Sequence, residues 1–225
     1  MKVLEPLPSK QFRPFTVLKT LKDHFKKCWE LDKATSPKLT FYHSIKKKFE
    51  KEPYLDVVKN ASNRFRITRL RISAHDLEIE RGRYKNIPRA ERFCKWCQIS
   101  LSANLVENES HMLYTCDMYC ELRTKLVNTL NNSPNSNDSP ATSHIIVSSP
   151  LHLENSLMIL LSPHVTTHFE ETDPLMHHHL TTICNAKPHS LKVKQRSYIM
   201  NTIGSFIAKC FDKRWSFLSD LSSKN

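Results

Sequence analysis

Residues 93–116 read FCKWCQISLSANLVENESHMLYTC, and this stretch decides how the middle of the chain folds. It contains three cysteines and one histidine in the order C-x2-C-x13-H-x4-C. A Cys-x-x-Cys turn presents two thiolates to one ion, and a second pair of ligands returning from a distance can complete a tetrahedron. We therefore predict one structural zinc site, with four ligands: Cys94, Cys97, His111 and Cys116.

Two alternatives to this ligand set remain open from the sequence alone. Cysteine is often only a small buried apolar residue, and a single histidine is more often hydrogen-bonded than metal-bound. Cys120, about one helical turn after Cys116, could compete as a ligand. With four protein ligands the site would have no open position for water, so its role would be structural.

Glycine is nearly absent from the 225 residues, which contain only Gly82 and Gly204. Dinucleotide-binding loops and P-loops need several glycines at fixed spacing, so both kinds of site are excluded. A turn-rich β-sandwich is also disfavoured. Helices joined by loops of Pro, Asn and Ser fit the composition better.

The sequence has no run of about twenty apolar residues, so we expect no membrane span. The first residues, MKVLEPLPSKQFRPF, contain no apolar stretch of the kind found in signal peptides. We expect a nuclear or cytoplasmic protein that is not secreted. In such a reducing compartment, paired cysteines indicate metal binding before a disulfide.

Positive charge is concentrated in the first part of the chain. Residues 1–93 contain 23 Lys and Arg against 11 Asp and Glu, which accounts for the whole formal charge of +12. Residues 94–225 contain 11 of each sign. A basic half-chain is typical of a polyanion-binding protein, although lysines also serve simply to keep a helical surface soluble. We expect RNA or DNA as the partner.

Apolar spacings of three and four predict several amphipathic helices. They cover 14–33, 38–51, 117–131, 151–162 and 190–218. Residues 61–72 could also share a helix face, whereas the alternation of Leu77 and Ile79 with acidic residues looks like a strand. The fold class we predict is mainly α: helical bundle segments around a small CCHC zinc-stapled element, with room for one short β-hairpin before it.

Four regions follow from these elements. They are a basic helical region, 1–53; an Arg-rich segment with the zinc element and the next helix, 54–131; a linker rich in Asn, Ser and Pro, 132–150; and a C-terminal helical region, 151–225. Arginines of the second region are our candidates for phosphate contacts, and Trp96 is a candidate for base stacking. The arginines are Arg64, Arg66, Arg69, Arg71, Arg81, Arg83, Arg89 and Arg92. For each arginine the alternative is an ion pair with a nearby glutamate.

Residues 54–126 resemble the zinc-binding C-terminal tail of reverse transcriptases from non-LTR (LINE-like) retrotransposons. The resemblance rests on RLRISAHDLEIERGRYKNIPRAERFCKWC at 69–97 and ENESHMLYTCDMYCELR at 107–123. It implies a zinc-stabilised module associated with nucleic acid, in the context of a retroelement polyprotein. Its polymerase would lie elsewhere, because the chain has no Asp-Asp pair and so no polymerase catalytic box.

We therefore expect a non-catalytic nucleic-acid-binding module rather than an enzyme. The runner-up is a zinc-stabilised helical scaffold that binds protein, with residues 190–218 as its docking face. The weakest alternative is a hydrolase that uses the histidines at 177–179.

Overall fold

A computed structural model describes residues 14–52, 54–131 and 191–223. Its helices are α1 (Pro14–Thr35), α2 (Thr40–Ile45), α3 (Tyr54–Val57), α4 (Ala61–Arg71), α5 (Glu78–Tyr84), α6 (Lys95–Leu101), α7 (Cys120–Asn131) and α8 (Leu191–Ser222). Three 3₁₀ turns, Pro37–Leu39, Arg89–Glu91 and Asp117–Tyr119, and one π-helical turn, His111–Thr115, connect them. In these ranges there is no strand, only an isolated bridge between Phe93 and Val106. The prediction of a mainly helical chain around a Cys/His cluster is confirmed.

The last helix, α8, packs against α3, α4 and α7. Its apolar residues repeat at intervals of three and four, so Ile199, Ile203 and Ile207 are buried on one face. Gly204 permits the approach to α4, because a Cβ atom there would lie 2.7 Å from Cβ of Asn63. The sequence assigned 54–131 and 151–225 to separate regions; here α8 belongs to the same hydrophobic core as residues 54–131.

Residues 78–84 form a helix, although the alternation of Leu77 and Ile79 predicted a strand. The prediction assumed that the acidic residues between them face solvent. Glu78 and Glu80 are instead buried in the first turn of α5, where they accept hydrogen bonds from Arg214 and Arg83. Because both carboxylates pair with arginines, Leu77, Glu78, Ile79 and Glu80 are all buried, and the alternation of apolar and acidic residues does not mark a solvent-exposed face.

The first helix, α1, is anchored at its C-terminal end. Trp29 donates a hydrogen bond to the Tyr42 hydroxyl at 3.2 Å, and the Lys33 ammonium lies 4.2 Å from the Trp29 ring centroid. Towards its N-terminus the apolar stripe is exposed: the side chains of Phe15, Leu18, Leu21 and Phe25 face solvent in this structure.

The helix predicted for residues 38–51 is shorter than expected, since α2 covers only Thr40–Ile45. Lys46 then takes an extended conformation, and its buried ammonium pairs with Glu52 at 2.9 Å. The predicted linker 132–150, the predicted helix 151–162 and the histidines at 177–179 lie outside the described residues. None of the helices described is both long enough and apolar enough to cross a membrane.

Candidate metal centre

The four predicted ligands come together in one buried cluster. Each offers one ligand atom, and these atoms all lie within 4.8 Å of one another. The Cys116 sulfur is 3.9 Å from that of Cys94 and 3.8 Å from that of Cys97, and Nε2 of His111 is 3.3 Å from the Cys97 sulfur. Cys94, Cys97, His111 and Cys116 could therefore hold a metal ion.

Local backbone structure explains how distant ligands meet. Cys94 precedes the first turn of α6 and Cys97 lies within that turn, so both sulfurs face the same side. Ser102 ends α6 in the left-handed conformation, with φ of 51°, which reverses the chain. The returning segment is held to the start of the motif, because the Cys94 amide donates to the Leu105 carbonyl at 2.8 Å.

The second pair of ligands lies at the two ends of the π-helical turn. His111 begins this turn, Cys116 follows it directly, and the Cys116 amide donates to the His111 carbonyl at 2.8 Å. π-Helical turns are rare and occur often at functional sites. Here the turn brings the side chains of His111 and Cys116 close together. The spacing of four residues between them does not by itself specify this geometry.

The three thiols influence one another strongly. The hydrogen bond from Cys116 lowers the pKa of Cys94 to about 4, against the opposing effect of burial. Burial raises the pKa of Cys97 to about 11, and the nearby Cys94 adds to this rise. The pKa of Cys116 is also raised, by its hydrogen bond to Cys94 and by burial. Protein groups alone thus favour a single thiolate, whereas a bound cation would favour all three.

The imidazole of His111 is held in one orientation. Its Nε2 atom points towards the thiols, while Nδ1 lies 3.1 Å from the Thr115 hydroxyl. The His111 amide donates to the Asn108 side chain at 2.8 Å. Hydrogen bonding of the second ring nitrogen is the usual way in which proteins orient a metal-binding histidine.

Two buried carboxylates flank the π-helical turn on its N-terminal side. Glu109 accepts hydrogen bonds from Ser73 and from His75, the latter at 2.9 Å. Burial alone would raise the pKa of Glu109, but the hydrogen bonds from His75 and Ser73 outweigh it and the pKa is lowered. These contacts tie the turn after α4 to the segment that carries His111.

Glu107 connects the C-terminal helix, α8, to the segment that precedes His111. Its carboxylate accepts hydrogen bonds from the Glu78 amide at 2.7 Å and from Arg214 of α8. Burial opposes the charge of Arg214, but its hydrogen bonds and its attraction to Glu107 raise its pKa. Sequence analysis missed Arg214, because no local pattern connects it with a partner 107 residues away.

Seven of the eight arginines predicted to contact phosphate have partners among the described residues of the fold. Arg71 is buried, 2.8 Å from Glu52, with its guanidinium over the Tyr54 ring. Arg92 donates to the carbonyls of Ile79 and Ile87, at 2.6 and 2.9 Å. Arg81 and Arg83 pair with the acidic residues three positions earlier on α5. The fold thus gives Arg71 and Arg92 structural roles, and we no longer count them as phosphate contacts.

Three of the other predicted arginines are half-buried and also have partners, and the fourth is exposed. Arg64 reaches the Val58 carbonyl, Arg66 lies 3.7 Å from Asp212, Arg69 lies 4.0 Å from Asp76, and Arg89 is exposed. Trp96 is half-buried and packs against the core. Cys120 is exposed and is not part of the cluster.

Comparison with known proteins adds nothing to this geometry. No family model matches the chain, and neither a curated protein nor a solved structure shows significant similarity to it. Any statement about function therefore depends on the site itself and on the distribution of charge around it.

Proposed function

We propose that this chain is a non-catalytic, zinc-stabilised module that binds RNA or DNA, derived from the tail of a retrotransposon reverse transcriptase. The observation that carries the proposal is the buried convergence of three thiols and one imidazole. A soft donor set of this kind selects zinc among the common divalent cations, since magnesium and calcium prefer oxygen. The module would act in the nucleus or cytoplasm, where the thiols stay reduced.

Distances within the cluster support zinc. Tetrahedral zinc bound by thiolates at about 2.3 Å holds two sulfurs about 3.8 Å apart. The Cys116 sulfur lies 3.9 and 3.8 Å from its two cysteine neighbours. Four protein ligands fill the tetrahedron, so the ion would stabilise the fold and would not activate water.

Contacts around the cluster connect residues on which the proposed retroelement resemblance rests. The residues on which the resemblance rests are not scattered: Ser73 and His75 contact Glu109, and the Glu78 amide contacts Glu107. They connect the Arg-rich segment to the chain just before His111. An ion bound there would therefore fix the position of the basic part of the protein relative to α8.

Charge supports nucleic acid as the partner. All of the formal excess of +12 lies in residues 1–93. Much of it is on exposed side chains of α1 and of the segment after α2: Lys19, Lys22, Lys26, Lys27, Lys47, Lys48 and Lys51. Such a surface attracts phosphate with little sequence preference, and binding releases counterions.

The test is the salt dependence of oligonucleotide binding by the zinc-loaded chain. Affinity should fall linearly on a logarithmic plot against salt, with a slope of roughly −0.7 to −0.9 for each phosphate neutralised. Lys22→Gln and Lys26→Gln should each reduce the steepness of this slope. Absence of binding at low salt, in a folded and zinc-loaded protein, would refute the proposal.

A protein-binding scaffold is the second candidate, and one observation favours it. The apolar face of α8 is buried in the core, but Phe15, Leu18 and Phe25 of α1 are exposed. A stripe of this size suits a partner helix. Self-association or partner capture that is insensitive to salt and lost in Leu18→Ser would favour the scaffold over nucleic-acid binding.

A further inference from the structure

A cleft of about 290 Å³ opens between α4 and α8, on residues that the metal cluster does not use. Four residues line it from α4, Ser62, Phe65, Arg66 and Arg69, and Phe211 lines it from α8. His75 and Asp76, in the turn after α4, complete its wall. We refer to these seven residues as the α4–α8 cleft.

One aromatic ring of this cleft, that of Phe65, is open to a ligand. The Phe65 side chain is 60% exposed although it belongs to a helix that packs on the core. The Arg69 guanidinium lies 5.5 Å from the centroid of the Phe65 ring. Trp215, one helical turn beyond Phe211, is 69% exposed and extends the aromatic surface along α8. Exposed rings beside arginine form the kind of platform on which unpaired bases stack.

The inner wall of the cleft is formed by the buried His75 and the half-buried Phe211. The rings of His75 and Phe211 lie 5.9 Å apart between centroids, tilted by 33°. Nε2 of His75 is hydrogen-bonded to Glu109, and its Nδ1 lies 3.4 Å from the Leu77 amide. Both nitrogens therefore have partners inside the protein, so a flat ligand would meet mainly carbon atoms.

The rim of the cleft combines both signs of charge. Arg66 lies 3.7 Å from Asp212 and Arg69 lies 4.0 Å from Asp76, two long ion pairs in which the aspartates are exposed and the arginines half-buried. Nε of Arg69 also donates to the Ala74 carbonyl, which leaves its other guanidinium nitrogens for a ligand. Long, partly exposed ion pairs contribute little to stability, so a ligand can displace them. The guanidinium groups suit a phosphate, and the carboxylates suit the amino groups on the edge of a base. Bare phosphate would not need the two aspartates.

We propose that the α4–α8 cleft binds one unpaired base of a single-stranded nucleic acid, stacked on Phe65, with its phosphate at Arg66 and Arg69. The inference rests on the proposed nucleic-acid-binding function and identifies the residues that would contact the base and its phosphate. Bases in a duplex are already stacked on one another, so the cleft selects single strands over duplexes. The exposed lysines of α1 and of the segment after α2 would bind any backbone, whereas the cleft needs a base.

The experiment compares strands with and without bases. Fluorescence anisotropy measures binding of the zinc-loaded chain to an oligouridylate, to an oligodeoxythymidylate and to an abasic strand of the same length. The variant is Phe65→Leu, which keeps an exposed apolar side chain and removes the ring. The matched control is Tyr84→Leu, because Tyr84 is also exposed and has the Arg83 guanidinium 4.3 Å from its ring centroid, outside the cleft.

We expect the wild type to bind base-bearing strands about tenfold more tightly than the abasic strand, within the range known for one base stacked on an aromatic ring. Phe65→Leu should lose this preference, and Tyr84→Leu should keep it. If salt-dependent binding persists and Phe65→Leu keeps the full preference for base-bearing strands, the proposal that the α4–α8 cleft binds a base is overturned, while the proposed function stands. If the wild type binds no strand, both are overturned.

Discussion

Arg214 and Glu107 form a buried pair with two hydrogen bonds, Nε to Oε1 at 2.8 Å and Nη2 to Oε2 at 2.7 Å. The pair joins α8 to the segment that leads into His111. The same guanidinium lies 3.2 Å from Glu78 at the start of α5. Three parts of the chain thus depend on one charged side chain of which only 3% is exposed.

Removing one partner of this pair should be costly. In Glu107→Gln the Arg214 charge stays buried with a weaker partner. In Arg214→Met, Glu107 loses its cation, and Glu78 keeps only Arg81, which lies 3.6 Å away. Breaking a buried pair in this way typically costs about 3–5 kcal/mol of unfolding free energy. Urea denaturation of the wild type and of each single variant measures this loss of unfolding free energy.

The double variant Glu107→Gln, Arg214→Met completes the cycle for this pair. Because the two residues share one interaction, the double variant should lose clearly less than the sum of the two singles. Additive losses would mean that the residues act independently and that the contact does not join α8 to the metal element.

Because α4 and α8 approach closely at Gly204, we expect Gly204→Ala to lower the stability of the fold. A new Cβ would lie 2.7 Å from Cβ of Asn63, close to its backbone, so the helices must separate. Overpacking costs about 1–3 kcal/mol, and it should outweigh the roughly 1 kcal/mol that alanine gains over glycine in a helix. The thermal midpoint should fall.

Ser205→Ala is the control for this substitution, since it also raises helix propensity on α8 but at a half-buried neighbouring position. It should leave the midpoint unchanged or slightly higher. A midpoint that rises in Gly204→Ala would show that the two helices are not packed as closely as described.

The hydroxyl of Thr115 should tune metal affinity. It lies 3.1 Å from Nδ1 of His111, and loss of such an orienting contact typically weakens metal binding by about 10- to 100-fold. Thr115→Val should show this loss in competition with a chromophoric chelator while the chain stays folded, because residue 115 is exposed. Thr124→Val, on the exposed side of α7, should bind the metal as the wild type does.

Much of the candidate site follows from local sequence. The four ligands were predictable because spacing along a short stretch limits where side chains can meet. The helical class was predictable because apolar repeats of three and four residues extend over long segments. For the same reason the ends of α8 are close to those predicted. The scarcity of glycine excluded dinucleotide-binding loops and P-loops.

Other features depend on partners that are remote in sequence. The burial of Arg71 requires Glu52, which precedes it by nineteen positions, and the burial of Glu107 requires Arg214 from the last helix. The periodicity of α1 shows that one face is apolar, but it cannot show that the described part of the chain leaves this face exposed. A π-helical turn at His111–Thr115 has no distinct sequence pattern.

Metal content is the measurement that tests the central claim most directly. Native mass spectrometry of the reduced protein compares the wild type with Cys97→Ser, and with Cys120→Ser as a matched control outside the cluster. We predict one zinc ion in the wild type and in Cys120→Ser, and none in Cys97→Ser, together with loss of its cooperative unfolding transition. A folded, fully reduced wild type that contains no zinc and takes up none would contradict the account.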